Sequence, residues 1–152
     1  MNRWLTVLAG PLVAACAFAI GTPDRELKGL EGDWVLGYLQ INGDPVAVSS
    51  LNVGTTPMAP RLTVKGDRYT LYVADTPLPM SCRLDPGYSP RRITLTVLEG
   101  PDKGKVYRGI YKLEGDRFTI CRPLDAAQPR PDAFATTPES GLMLGVWKRV
   151  KP

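Results

Sequence analysis

The sequence predicts an all-β domain: an eight-stranded antiparallel up-and-down barrel, with an open β-sandwich as the alternative. Three observations lead there. Gly and Pro number 15 each among 152 residues, a composition rich in turn formers and poor in helix formers. Short apolar runs are separated by Gly-Asp, Asn-Gly or Pro-containing turns, with Gly-Asp at 32–33, 43–44, 66–67 and 115–116. After residue 19 no amphipathic helix of three or more turns is readable.

Residues 1–19 read as an export leader. Asn2 and Arg3 give a short basic start, and Trp4 to Ala15 form an uncharged, mostly apolar run. That run is too short to span a bilayer core as a helix, and Gly10 and Pro11 interrupt it as a buried one. Val13-Ala14-Ala15-Cys16 has the small residues before cysteine of a bacterial lipobox, while Ala17-Phe18-Ala19 suits ordinary cleavage after Ala19. The lipobox accounts for the position of Cys16, so the expectation is lipidation at Cys16 and a cell-envelope lipoprotein held on a membrane by acyl chains. Cleavage after Ala19 would instead leave a soluble periplasmic or secreted protein. Residues 17–29 then read as a tether and 30–152 as one barrel domain, since the length leaves room for a single core.

The strands are expected at Asp33–Asn42, Arg61–Lys65, Arg68–Ala74, Leu78–Leu84, Arg92–Leu98, Lys105–Leu113, Arg117–Arg122 and Leu142–Val150. Ile93, Leu95 and Val97 alternate with Arg92, Thr94 and Thr96; Tyr107, Tyr111 and Leu113 alternate with Arg108 and Lys112. Each strand therefore has one wet face. Lys65-Gly66-Asp67-Arg68 and Glu114-Gly115-Asp116-Arg117 are tight hairpins, so their aspartates are turn residues first. Val46–Pro60 is the long connection, with a helical turn near Ser49–Asn52, and a second turn is expected at Asp132–Ala135. Eight such strands can close so that no edge stays unpaired, around an interior filled by side chains or holding one small ligand.

Formal charge is +4, or +3 once Arg3 leaves with the leader. Residues 16–87 carry 6 basic and 8 acidic side chains and residues 88–152 carry 12 and 7. The excess is spread over several strands and reads as a solvated wall rather than a patch for acidic lipid or polymer. The chain holds no histidine, which removes Ser-His-Asp and Cys-His catalysis and imidazole metal sites. No phosphate loop and no C-x-x-C pair is present. The expectation is a non-enzyme with no cofactor, no metal and no nucleic-acid partner, its tyrosines alternating toward a core rather than forming a stacking platform. Cys82 and Cys121 lie three strand spacings apart, on the order of 14 Å, against the roughly 7 Å a disulfide allows, so both are expected free.

The stretch from Leu30-Glu31-Gly32-Asp33-Trp34 to the C-terminus resembles an uncharacterised, lipocalin-like paralogous domain expanded in planctomycete bacteria. Four blocks carry the likeness: LEGDWVLGYLQINGDPV at 30–46, RLTVKGDRYTL at 61–71, LEGPDKGKVYRGIYKLEGDRFTICRP at 98–123 and RPDAFATTPESGLMLGVWKR at 130–149. Cys82 and Pro77-Leu78-Pro79 depart from that pattern. The resemblance implies a lipocalin-like barrel and an envelope location, with no reaction. It also implies that Trp34, in the G-x-W of the wider lipocalin group, is covered at the barrel base by a basic residue of the final strand. Arg149 is the matching residue and Lys148 competes with it.

Two functions follow. In the first, the barrel takes a small apolar or amphipathic ligand, lined by the inward residues Tyr38, Leu71, Val97, Tyr111 and Phe118. In the second, the core is filled and the loops or outer wall contact a partner, an interaction or structural module of the envelope. Gly37, Gly109 and Gly145, inside strands, mark space or bends. Oligomeric state is open.

Overall fold

The computed structural model describes residues 21–51 and 59–152. The leader, both cleavage sites and Cys16 lie outside the described residues.

The described chain begins with a helix where a tether is expected. α1 spans Pro23–Leu30: the Thr22 hydroxyl accepts from the Arg25 amide at 3.4 Å, Pro23 occupies the first turn, Asp24 and Glu26 sit near the N-terminus and Lys28 near the C-terminus. Each feature favours a helix start or its dipole. Eight residues alone would be marginal. Packing makes the difference: Leu30 is fully buried, and Leu27, one turn earlier, packs partly buried against the same core. The tether reading of 17–29 therefore fails from Pro23 onward, because sequence shows the polar face of this short helix and conceals the surface it covers.

The strands are β1 (Gly32–Ile41), β2 (Asp44–Val46), β3 (Arg61–Lys65), β4 (Arg68–Val73), β5 (Thr76–Asp85), β6 (Arg91–Val97), β7 (Val106–Glu114), β8 (Arg117–Pro123) and β9 (Leu142–Arg149). All pairings are antiparallel in the order β2-β1-β3-β4-β5-β6-β7-β8-β9, and β1 also pairs with β9. The result is a closed eight-stranded barrel with one extra strand, β2, folded back on the upper end of β1 through a turn at Asn42-Gly43. A 3₁₀ turn at Val48–Leu51 opens the long connection. The Pro77-Leu78-Pro79 stretch does not break β5, which pairs with β4 from Thr76 to Ser81.

Alternation puts Leu62, Val64, Tyr69, Met80, Cys82, Leu84, Ile93, Leu95, Val97, Tyr111, Phe118, Ile120 and Trp147 into one buried cluster with Leu30, Trp34, Leu36 and Leu39. β1 departs from strict alternation. Leu36 faces Trp147 and Tyr38 faces Val146, so Gly37 is an inserted residue. After that bulge the inward set becomes Leu39 and Ile41.

The segment 124–141 crosses the outside of the barrel. Beneath it Ile110 of β7 and Cys121 of β8 lie opposite each other, both buried, on the outer face. The Arg130 guanidinium donates to the carbonyls of Ile93 and Gly109 and to the Thr94 hydroxyl at 3.3 Å, and Thr136 accepts from the Gly43 amide at 2.9 Å. Asp132–Ala135 is not helical; these residues are held by contacts to the barrel wall rather than by local hydrogen bonding. Gly109 instead faces the interior, where a Cβ would stand 2.7 Å from the Cys121 carbonyl oxygen and 3.0 Å from the Arg122 Cβ, so its lack of a side chain permits the close pairing of β7 with β8. Cys82 faces the interior, Cys121 faces outward, and both are free and buried.

Candidate functional site

The two ends of the barrel are built differently. At the base, where β1 begins and β9 ends, Trp34 is fully buried and donates its indole N–H to the Leu30 carbonyl at 3.0 Å. Phe118 packs on it with ring centroids 5.9 Å apart. Arg149, paired with Trp34 across the β1–β9 seam, lays its guanidinium 4.2 Å from the indole centroid. The same group donates to the carbonyls of Gly29, at 2.7 Å, and Glu31, and to Asp116 at 3.1 Å. One planar cation thus covers the ring and satisfies the last carbonyls of α1, where positive charge is favoured. Lys148 lies on the outer face and exposed.

Beside this seal, Glu26 of α1 accepts from the Tyr111 hydroxyl at 2.9 Å and meets Arg91 at 3.4 Å. Burial and then the bond to Glu26 push the Tyr111 phenol well above its ordinary range. The base is closed by a plug of α1, an aromatic pair and a small polar network.

Toward the other end the inward side chains change from fully to half buried. Ile41, Leu71, Leu78, Tyr107 and Met143 pack against the core but keep part of their surface exposed. Arg122 shares this layer. It follows Phe118 and Ile120 in the inward alternation of β8 and pairs with Met143 of β9. Its guanidinium lies 4.8 Å from the Tyr107 ring centroid and donates to the Pro123 carbonyl at 2.9 Å. Among the described residues it has no carboxylate partner. Burial lowers its pKa, partly countered by Tyr69 and Tyr107.

The expected lining residues separate between these ends. Leu71 belongs to the half-buried layer, and Val97 is buried next to it. Tyr111 and Phe118 point inward but form part of the sealed base. Tyr38 is an error of phase: the bulge at Gly37 turns it outward, 40% exposed, because one inserted residue reverses the faces of all that follow. Tyr38 lines instead a groove of about 1070 Å³ on the outer wall, with Lys112, Thr119, Phe134, Val146 and Lys148.

Comparison with family models, curated proteins and solved structures returned no significant match to this chain.

Arg122 escaped the sequence reading, although the signal was present: in Arg117-Phe118-Thr119-Ile120-Cys121-Arg122 the period that buries Phe118 and Ile120 carries Arg122 inward too. Among the described residues no cluster of Cys, Asp and Glu brings three metal-ligand candidates together.

Proposed function

We propose that this chain is a lipocalin-like binding protein of the cell envelope, exported behind residues 1–19 and anchored through lipid on Cys16. In this reading the barrel takes a small amphipathic molecule through its upper end. The observation that carries it is the asymmetry of the interior: a base plugged by Trp34, Phe118 and Arg149, and an opposite end where apolar side chains stay half exposed around a charged one. Apolar walls with one polar group are what orients an amphiphile in a concave site. The likeness to the planctomycete paralogous domain supports the same barrel and location, and the lack of histidine favours binding over catalysis.

Native mass spectrometry of protein purified from its own host tests the reading. The expected result is a small-molecule adduct that is lost on unfolding; bare chain alone would count against it. Cys16→Ser should abolish uptake of labelled fatty acid and release the protein from membranes.

A second reading rests on the outer groove. Tyr38, Val146 and Phe134 give it an apolar floor and Lys112 and Lys148 a basic rim, with the Lys112 ammonium 4.3 Å from the Phe134 ring. A partner protein seated on this wall would be the function of a barrel whose interior serves only as scaffold.

A further inference from the structure

We infer that the molecule held in the upper end of the barrel is acidic, with a carboxylate or phosphate head that enters first and binds at Arg122. The inference rests on the amphiphile-binding reading and adds to it the chemistry of the ligand's head.

A guanidinium carries five N–H donors in a planar fork. Among the described residues, those of Arg122 have one hydrogen-bond acceptor, the Pro123 carbonyl. Several other arginines of the barrel meet opposite charges on its surface: Arg61 with Asp75, Arg83 with Asp85, Arg149 with Asp116. Arg122 instead faces aromatic rings. A charge taken out of water without a counter-charge is costly, and the cation–π contact with Tyr107 offsets only part of that cost.

A second interior group lacks a partner independently. Trp147 of β9 is 4% exposed, and its indole N–H has no acceptor among the described residues. It lies beside Gly145, where a Cβ would come within 3.3 Å of the ring nitrogen. On the inward face of β9 the order is Trp147, Gly145, Met143, and Met143 pairs with Arg122. The missing side chain at Gly145 leaves the unpaired indole N–H uncovered, one inward step along β9 from Met143, the strand partner of Arg122. Tyr69, across the barrel on β4, is buried and close enough to Arg122 to feel its charge, and its neutral phenol is a further donor.

The interior offers a guanidinium, an indole N–H and a phenol, with no carboxylate paired to them among the described residues. Such a set rejects a cation and leaves a neutral apolar molecule with unmet donors. An oxyanion satisfies it, with bidentate geometry available at the guanidinium. The half-buried Ile41, Leu71, Leu78 and Met143 then receive the apolar remainder.

Titration calorimetry of the full-length chain with decanoate, decyl phosphate and decanol tests the inference. At least one of the two acids should bind tenfold or more tighter than decanol, and the preferred acid identifies the head as carboxylate or phosphate. Arg122→Met should remove that preference while leaving decanol affinity within about twofold of the parent. Equal affinity for acids and alcohol in the parent would overturn the acidic head and leave the amphiphile reading standing. No binding of any of the three would overturn both. Should Arg122→Met fail to fold, Trp147→Phe keeps the ring and removes only the donor; a several-fold loss for the acids with decanol unchanged supports the inference, and an unchanged acid preference refutes the role of the N–H.

Discussion

Replacing Arg149 by Ala removes a group that joins the first strand, the last strand and the C-terminus of α1. Its loss forfeits a cation–π contact on Trp34 worth about 1 kcal/mol. It also forfeits charged hydrogen bonds to the carbonyls of Gly29 and Glu31, at about 1.5 kcal/mol each. Part returns when water reaches those carbonyls, since the Arg149 side chain is already 24% exposed. The pair with Asp116, itself 53% exposed, adds less than about 1 kcal/mol. The net destabilisation is about 2–3 kcal/mol, which lowers the urea midpoint by about 1–2 M at a typical slope for a domain of this size. Hydrogen exchange should show where the loss falls. The Glu31 amide, bonded to the Leu27 carbonyl at 3.1 Å, should exchange faster, while amides of the β5–β6 ladder change only with global stability. Lys151→Ala, which touches the same Asp116 from an exposed position, should cost less than about 0.5 kcal/mol. An Arg149→Ala variant with the parent's urea midpoint would refute the reasoning.

Burial, with a smaller contribution from Asp67, pushes the Cys82 thiol up to about 12, and burial pushes Cys121 up to about 11, from an ordinary 9.0. The unfolded chain therefore loses these protons first as pH rises; the stabilisation is intact below about 9 and is lost on the way to the folded values, so a Cys82→Val variant should show a shallower fall in urea midpoint above pH 9 than the parent. Gly109→Ala should destabilise by about 1–3 kcal/mol, because the new methyl meets the Cys121 backbone at 2.7 Å, whereas Gly37→Ala, with its nearest atom at 3.6 Å, should change the melting temperature little; equal effects would show that the β7–β8 pairing yields freely.

Much of this fold was legible because a period of two and the Gly-Asp hairpins are local signals. Leu62 and Val64, or Ile93, Leu95 and Val97, declare their face without reference to other strands. The pairing of Trp34 with Arg149 was legible only through resemblance, since nothing local relates residues so far apart. The bulge at Gly37 was hidden because an inserted residue leaves composition unchanged while reversing Tyr38 and Leu39. Helix α1 was hidden because its stability comes from the surface it covers, and the segment 124–141 because it is ordered by side chains such as Arg130 reaching the barrel wall. Arg122 is different in kind. Its inward position is readable from the period it shares with Phe118 and Ile120, but a period of two does not say what a charged side chain meets inside a barrel.

The seam between β1 and β9 also bears on how the chain reaches this state. Trp34 and Arg149 are separated by nearly the whole domain, so the barrel cannot close until the last strand has been delivered. Closure therefore carries the loop entropy of the full chain and belongs to the slow class of non-local β folding. Until then the edges of β1 and β8 that take β9 have no neighbour, and Leu36, Leu39, Phe118 and Ile120 lack the cover of Trp147 and Met143. A nascent or truncated chain ending before Leu142 would present two unpaired edges, the condition under which strands aggregate.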